Sequence, residues 1–177
     1  MSPPSTSSFT FRLDIDSIEK LRSEANNLGI SLNSLVNRII REYLEWYKFE
    51  PKIGFVPIAK PVLEEIFTKM SEEQIIDMAT RIGKSETQNA VYFMKGKIDV
   101  NSFLSWFENR MKNSSIQISH TFNPNTRTYT YVIKHDISIN WSLYLKIILE
   151  RTFEDIIGKQ IDVNMSYHML TFKFKED

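Results

Sequence analysis

The first fifty residues contain a short alternating segment followed by two segments with helical spacing. In "SFTFRLD", residues 8–14, apolar and polar side chains alternate, which is typical of a strand with one buried face. The apolar side consists of Phe9, Phe11 and Leu13, and the polar side of Ser8, Thr10 and Arg12. Asp16 and Glu19 predict the start of a first helix that ends at Gly29. Ser31 is a favourable N-cap for a second helix.

The second predicted helix carries more apolar surface than two short helices and one strand can bury. Its apolar side chains extend from Leu32 to Tyr47 and form a wide face. A lone strand also leaves its backbone amides unpaired. Both problems are solved if two copies of the chain pair their strands as an antiparallel ribbon that packs on four helices. We therefore predict a homodimer, and the outer face of such a ribbon fits the major groove of DNA.

This pattern resembles the ribbon-helix-helix repressors of the Arc and MetJ type. The similarity rests on "FTFRLD" and "NNLGISLNSLVNRII" and covers residues 8–47, and its most specific part is the G-x-S-x-N-S element at residues 29–34. The resemblance implies base contacts from the outward strand residues and phosphate contacts from the start of the second helix. The base-contacting set is Ser8, Thr10 and Arg12, and the phosphate-contacting set is Ser31, Asn33 and Ser34.

The charge balance changes the expected mode of DNA binding. Lys and Arg together number 22, and so do Asp and Glu, so no basic field covers the whole chain. Residues 1–49 contain six basic and six acidic residues, whereas many ribbon-helix-helix proteins are basic in this region. We therefore expect few phosphate contacts per dimer and a shallow dependence of DNA affinity on salt. Tandem sites and contacts between dimers would compensate.

The composition is that of an ordinary globular protein. Hydrophobic residues make up 42% and charged residues 25%, which places the chain outside the disordered class. No apolar run approaches the ~18 residues of a membrane span, and the first residues lack the features of a signal sequence. The absence of cysteine excludes disulfides, thiolate metal sites and thiol catalysis and fits a reducing compartment. We expect a cytoplasmic protein without membrane contact.

The stretch "KFEPKIGFVPIAKP" marks the most evident domain boundary, because prolines and a glycine are concentrated there. It is not a polar spacer, since the apolar side chains from Phe49 to Val56 favour burial. The predicted division is a flexible arm at residues 1–7, a ribbon-helix-helix domain at 8–48, a linker at 49–61 and an α+β sensor or oligomerisation domain at 62–177.

The second domain is predicted to be α+β, with helices and a small antiparallel sheet. Four helical segments lie between residues 62 and 112, and "SINWSLYLKIILERTFEDIIG" predicts a fifth that ends at Gly158. Between them, alternation on both sides of "NPNT" predicts a hairpin in which His120 lies opposite Tyr129. Residues 160–174 predict one last strand, whose phase shift indicates a bulge or a change of covering layer. A further strand in the linker would make the domain similar to a ferredoxin-like sandwich.

The sequence contains no persuasive catalytic or metal-binding set. Its histidines, His120, His135 and His168, lack a helical ligand spacing, and no phosphate-binding glycine loop occurs. We therefore expect no enzymatic activity, no metal and no cofactor. An aromatic sheet face covered by helices could hold a small-molecule effector or form plain core. The residues of this possible pocket are His120, Tyr129, Tyr131, Trp141 and Tyr167.

Together these patterns predict a homodimeric, sequence-specific DNA-binding transcriptional regulator. Its partners would be double-stranded DNA, a second copy of the chain and a possible small-molecule effector. An alternative is a protein-interaction module, such as an antitoxin, whose second domain binds a partner protein. The alternative is less favoured, because residues 60–177 have the pattern of a segment that folds alone.

Overall fold

A computed structural model describes residues 7–176, apart from the side chain of Lys84. These residues form seven α-helices and one four-stranded antiparallel sheet, which confirms the α+β class. The chain divides into two compact units, an N-terminal unit at residues 1–44 and a C-terminal unit at residues 45–177. All but the last of residues 1–7, predicted to be a flexible arm, lie outside the described residues.

The N-terminal unit contains the helices α1 (Ile15–Asn27) and α2 (Leu32–Glu42). Helix α1 begins after Asp14, whose carboxylate accepts a hydrogen bond from the backbone N–H of Ser17 at 2.7 Å. The prediction that Asp16 begins this helix is wrong. Asp14 is the last residue with extended backbone, and Asp16 already lies in the first helical turn.

The connection between α1 and α2 agrees with the sequence. Gly29 has a φ of +65°, a left-handed conformation that favours glycine after the end of a helix. Ser31 caps α2, and its hydroxyl accepts a hydrogen bond from the backbone N–H of Ser34 at 3.0 Å. The buried side chains of the two helices are Ala25 and Leu35.

The segment before α1 is neither helix nor strand in the single chain. Residues 7–14 are exposed, and no backbone pairing is assigned to them. A ribbon of the predicted kind needs one strand from each of two chains, so a single chain does not display it. The structure of one chain begins with helices rather than with a ribbon-helix-helix.

The C-terminal unit contains all four helices expected between residues 62 and 112. They are α3 (Lys60–Lys69), α4 (Glu72–Ile82), α5 (Gln88–Lys95) and α6 (Val100–Asn113). Helix α4 starts at the predicted cap Ser71, whose hydroxyl accepts from the Gln74 N–H while the Gln74 side chain accepts from the Ser71 N–H. The last helix, α7 (Ile139–Arg151), continues into a π-helical turn that ends at Gly158 with a φ of +72°.

The linker forms no strand, so the ferredoxin-like interpretation is wrong. A short 3-10 turn at Glu50–Lys52 is followed by Gly54 with a φ of +73°, which bends the backbone out of an extended path. Phe49, Ile53 and Phe55 nevertheless pack against the core of the C-terminal unit.

The sheet consists of four antiparallel strands in the order β1-β2-β4-β3. They are β1 (Gln117–Asn123), β2 (Thr128–Lys134), β3 (Asp162–Met165) and β4 (Met169–Lys175). The single last strand predicted at residues 160–174 is in fact a hairpin of β3 and β4. Ser166 closes its turn by donating hydrogen bonds from its N–H at 2.7 Å and its hydroxyl at 3.2 Å to the Met169 carbonyl. The phase shift in the sequence marks this turn and not a bulge.

The hairpin of β1 and β2 is present, but its predicted register is wrong. His120 lies opposite Tyr131, and Tyr129 lies opposite Phe122. The predicted pairing implies a two-residue turn centred on Pro124 and Asn125. The connection is longer, because the Asn123 side chain accepts from two backbone N–H groups of the loop and Arg127 adopts a φ of +49°. The pairing shifts by two residues, so each side chain stays on the expected face.

The core lies between one face of the sheet and the helices. Tyr131 and Phe172, on neighbouring strands, stack with ring centroids 4.8 Å apart, and Phe107 of α6 meets Phe172 edge-on at 6.3 Å. Phe153, in the turn after α7, packs on Phe172 and Phe174. The opposite sheet face carries polar side chains such as Lys173 and is exposed over much of its area.

Candidate functional site

The start of α2 gathers the three predicted phosphate-contacting residues. The hydroxyls of Ser31 and Ser34 are 2.8 Å apart and exposed, so one donates to the other. Asn33 accepts from the Asn37 amide through its backbone carbonyl at 2.8 Å. The first turn of α2 contains no acidic residue, so nothing there opposes the positive end of the helix dipole. Such a helix start suits an anion.

The predicted base-contacting residues lie before α1. Ser8, Thr10 and Arg12 are exposed, as are the apolar side chains between them. The rings of Phe9 and Phe11 are 5.1 Å apart, so the two phenyl groups lie on the same side of the segment. This is the arrangement that alternation requires, with the polar residues between the phenyl groups in sequence.

The N-terminal unit exposes a large amount of apolar surface. Phe9 is 81% exposed and Phe11 is 59% exposed. Phenylalanine side chains in the core of a folded domain are far more buried. Helix α2 and the turn after it add further exposed apolar side chains. Those of the unit with at least two-fifths exposure are Phe9, Phe11, Leu13, Ile15, Leu28, Ile39, Ile40, Tyr43 and Leu44. Exposed apolar side chains that form one large patch are typical of an interaction site.

The five residues of the possible aromatic pocket do not line one cavity. His120, Tyr129 and Tyr131 are neighbours, since the His120 ring is 4.9 Å from that of Tyr131 and 6.4 Å from that of Tyr129. Tyr131 is buried in the stacked core. Trp141 lies on α7, packed against Phe67 at 4.8 Å. The fifth residue, Tyr167, is 54% exposed in the β3–β4 turn.

The carboxylate of Glu108, which the sequence analysis does not predict as a site residue, interacts with both His120 and Tyr131. Glu108 of α6 lies 3.3 Å from Nδ1 of His120, and its other oxygen lies 3.5 Å from the Lys112 ammonium. Burial, together with the charge of Glu108 and a hydrogen bond to it, raises the pKa of Tyr131 above its ordinary value. Tyr131 therefore stays protonated. Glu108, His120 and Tyr131 form a polar cluster at the edge of the core.

His135 and Ser142 form a buried polar pair. His135 Nδ1 accepts a hydrogen bond from the Ile137 N–H at 3.2 Å, so the proton of the neutral ring is on Nε2. Nε2 lies 2.8 Å from the Ser142 hydroxyl, and that hydroxyl donates to the Ser166 carbonyl at 2.7 Å. Burial lowers the pKa of His135 to about 4, so the ring is neutral at pH 7.

This pair is built for structure rather than for nucleophilic catalysis. A catalytic base must accept the hydroxyl proton, whereas Nε2 of His135 already carries a proton and donates it to Ser142. The chain of hydrogen bonds ties the end of β2 to α7 and to the β3–β4 turn. The sequence does not predict this pair, because the segment between His135 and Ser142 mixes polar and apolar residues and has no distinctive pattern.

A cavity of about 660 Å³ lies in the C-terminal unit, between the linker and the end of α6. The Arg110 guanidinium is held over the rings of Phe55 and Trp106, 5.4 Å from each centroid. The walls of the cavity include Trp46, Phe55, Leu63, Arg110, Ile116 and Trp141. Trp141 is the one residue of the predicted pocket that lines it.

Comparison with known proteins leaves the chain without a family assignment. No protein-family model matches it, and no curated protein does so either. Within residues 7–176, no helix combines the length and apolar character needed to cross a membrane. The same residues contain no group of three or more histidine or acidic side chains placed to hold a metal ion.

Proposed function

We propose that the protein is a homodimeric, sequence-specific DNA-binding transcriptional regulator of the ribbon-helix-helix type. The observation that carries this proposal is the incomplete N-terminal unit. Residues 7–14 have no strand partner within the described part of the chain, and Phe9 and Phe11 are exposed side by side. A second copy would pair with this segment and cover both phenyl groups together with the open face of α2.

The same pairing would present a DNA-binding surface. With Phe9 and Phe11 turned inward, the alternating residues Ser8, Thr10 and Arg12 lie on the outer face of the ribbon. Such a ribbon fits the major groove, where Arg12 could form two hydrogen bonds to a guanine. The exposed start of α2, with Ser31 and its neighbours, would hold a phosphate beside the groove.

The folded C-terminal unit supports a sensing or assembly role. Its core is formed by its own sheet and helices, as expected for a unit that folds without a partner protein. That observation favours a regulator over an antitoxin-like module whose second part is ordered by a partner. A protein of this function acts where the DNA is, and we propose the cytoplasm as that place.

Selection of bound fragments from a random DNA pool tests the proposal directly. The purified chain should enrich one sequence motif, and the motif should contain two related half-sites because the dimer is symmetric. Sedimentation at micromolar concentration should give a dimer. Enrichment of no motif, or a monomer at those concentrations, would contradict the proposal.

A further inference from the structure

We propose that the cavity of the C-terminal unit binds a small aromatic carboxylate, with Arg110 holding the carboxylate group. The proposal gives the sensing role of this unit a ligand class, and it rests on the proposed function only for its effect on DNA binding. The cavity is formed wholly by residues of the C-terminal unit.

The size and the walls of the cavity fit a small organic molecule. Its volume of about 660 Å³ lies within the range of known ligand sites, roughly 300–1,000 Å³. The walls are largely apolar and include the aromatic rings of Trp46, Phe55 and Trp141. The ring centroids of Trp46 and Phe55 are 5.6 Å apart. Flat rings of this kind stack on a planar apolar group, so the ligand should have an aromatic part.

The charge of the lining selects an anion. Arg110 and Lys60 line the cavity, and within residues 7–176 neither forms an ion pair. Glu50 is the opposing charge in the lining, which leaves a net charge of +1. A single negative charge on the ligand would balance it.

Among the described residues, no side-chain hydrogen bond or ion pair occupies the guanidinium of Arg110, which lies in the lining. The guanidinium of Arg110 is held by two aromatic rings, which fix its plane without using its N–H groups. A carboxylate accepts two parallel hydrogen bonds from a planar guanidinium, so it fits the N–H groups of Arg110. A phosphate dianion would need more positive charge than this lining offers.

Isothermal titration calorimetry on the full chain tests the charge requirement with two isosteric probes. Naphthalene-1-acetate and naphthalene-1-acetamide differ in charge and share their shape. We expect the acid to bind about tenfold more tightly than the amide, because a hydrogen bond to a charged group is worth more than a neutral one. Equal affinities, or no binding of the acid at millimolar concentration, would overturn the proposal.

Variants locate the site. In Arg110→Gln, the preference for the acid should disappear while the amide still binds. Arg81→Gln is the matched control, since Arg81 is an exposed residue of α4 that pairs with Asp77 and is not part of the lining. It should keep the preference of the original chain. An undiminished preference in Arg110→Gln would place the carboxylate elsewhere and refute the assignment.

A second variant does not depend on Arg110. Ala59 lines the cavity and is exposed, so Ala59→Trp adds bulk at the site without disturbing the core. It should weaken the binding of both probes at an unchanged melting temperature. Unchanged binding of both probes in a folded Ala59→Trp chain would count against this cavity.

Operator binding with and without the acid separates this proposal from the proposed function. A chain that binds the acid through Arg110 but binds no DNA would refute the regulator and leave the ligand site in place. A chain that selects an operator but does not bind the acid would refute the ligand site and leave the regulator in place. If both occur, the acid should change operator affinity, and no change would refute the sensing role.

Discussion

His135 donates a hydrogen bond from Nε2 to the hydroxyl of Ser142 across a distance of 2.8 Å. The direction of this bond follows from Nδ1, which accepts from the Ile137 N–H. Protonation of Nδ1 would break that contact and place a charge in the core. The interior of the C-terminal unit therefore tolerates only the neutral ring.

The stability of the protein should fall as the pH is lowered from 6.5 towards 4. Burial lowers the pKa of His135 from 6.5 to about 4, so between these values the unfolded chain binds the proton that the folded chain excludes. The loss should reach about 2 kcal/mol at pH 5. Urea unfolding at pH 7 and pH 5 measures it. His135→Asn should remove most of this pH dependence, whereas His120→Gln, at an exposed position, should keep it.

Removal of the Ser142 hydroxyl should destabilise the fold. Ser142→Ala leaves the buried Nε2–H of His135 and the part-buried Ser166 carbonyl without their partner. We expect a loss of ~1–3 kcal/mol in the free energy of unfolding. Ser119→Ala, on the exposed face of β1, is the control and should change stability little. Equal effects of the two substitutions in urea unfolding would contradict the assigned network.

Arg12→Ala should weaken operator binding without changing the dimer. Loss of a bidentate contact to guanine costs ~1–3 kcal/mol and relaxes the preference at that base pair. Electrophoretic mobility shift with the selected operator and with a version changed at that base pair gives both quantities. Arg22→Ala on α1 is the control for loss of one positive charge. If the two variants bind equally well, Arg12 does not read the groove.

Phe11→Asp should abolish the dimer. A carboxylate in the apolar side of the ribbon would be buried without a partner, and the free energy of dimerisation would not offset that cost. Analytical ultracentrifugation should then give a monomer that binds no operator. Tyr92→Asp is the matched control, since Tyr92 is an exposed aromatic residue of the C-terminal unit. A dimeric Phe11→Asp protein would refute the ribbon arrangement.

Helix ends were predictable because their signals are local. Ser31, Ser71, Gly29 and Gly158 mark helix boundaries through hydrogen bonds and backbone angles within a few residues of themselves. The start of α1 shows the limit of this logic. Two aspartates near the helix start compete as caps, and only the position of the Ser17 N–H decides in favour of the earlier one.

The sheet was harder to predict because its pairing is not local. Alternation places side chains on faces but does not fix which strand lies beside which. The register of the first hairpin depended on the side chain of Asn123 and on the backbone of Arg127, features that a two-residue turn does not have. The phase shift before β4 predicts a bulge or a change of covering layer, and a tight turn between two strands shifts the phase in the same way.

The candidate sites show the same contrast. The residues at the start of α2 are contiguous in sequence, so their motif is visible there. Glu108 and His120 come from a helix and a strand, and the cavity draws on the linker, α3, α6 and α7. Contacts between distant segments have no signature in a single sequence.

The strand order implies that the sheet is completed late in folding. Strand β4 pairs with β2 on one side and with β3 on the other, so the last strand along the chain occupies an inner position of the sheet. The hairpin of β1 and β2 can form early. The free edge of β2 stays unpaired until β4, which ends at residue 175, has been synthesised. A nascent or truncated chain that lacks β4 would expose Phe107 and Phe153 and become a substrate for chaperones or proteases.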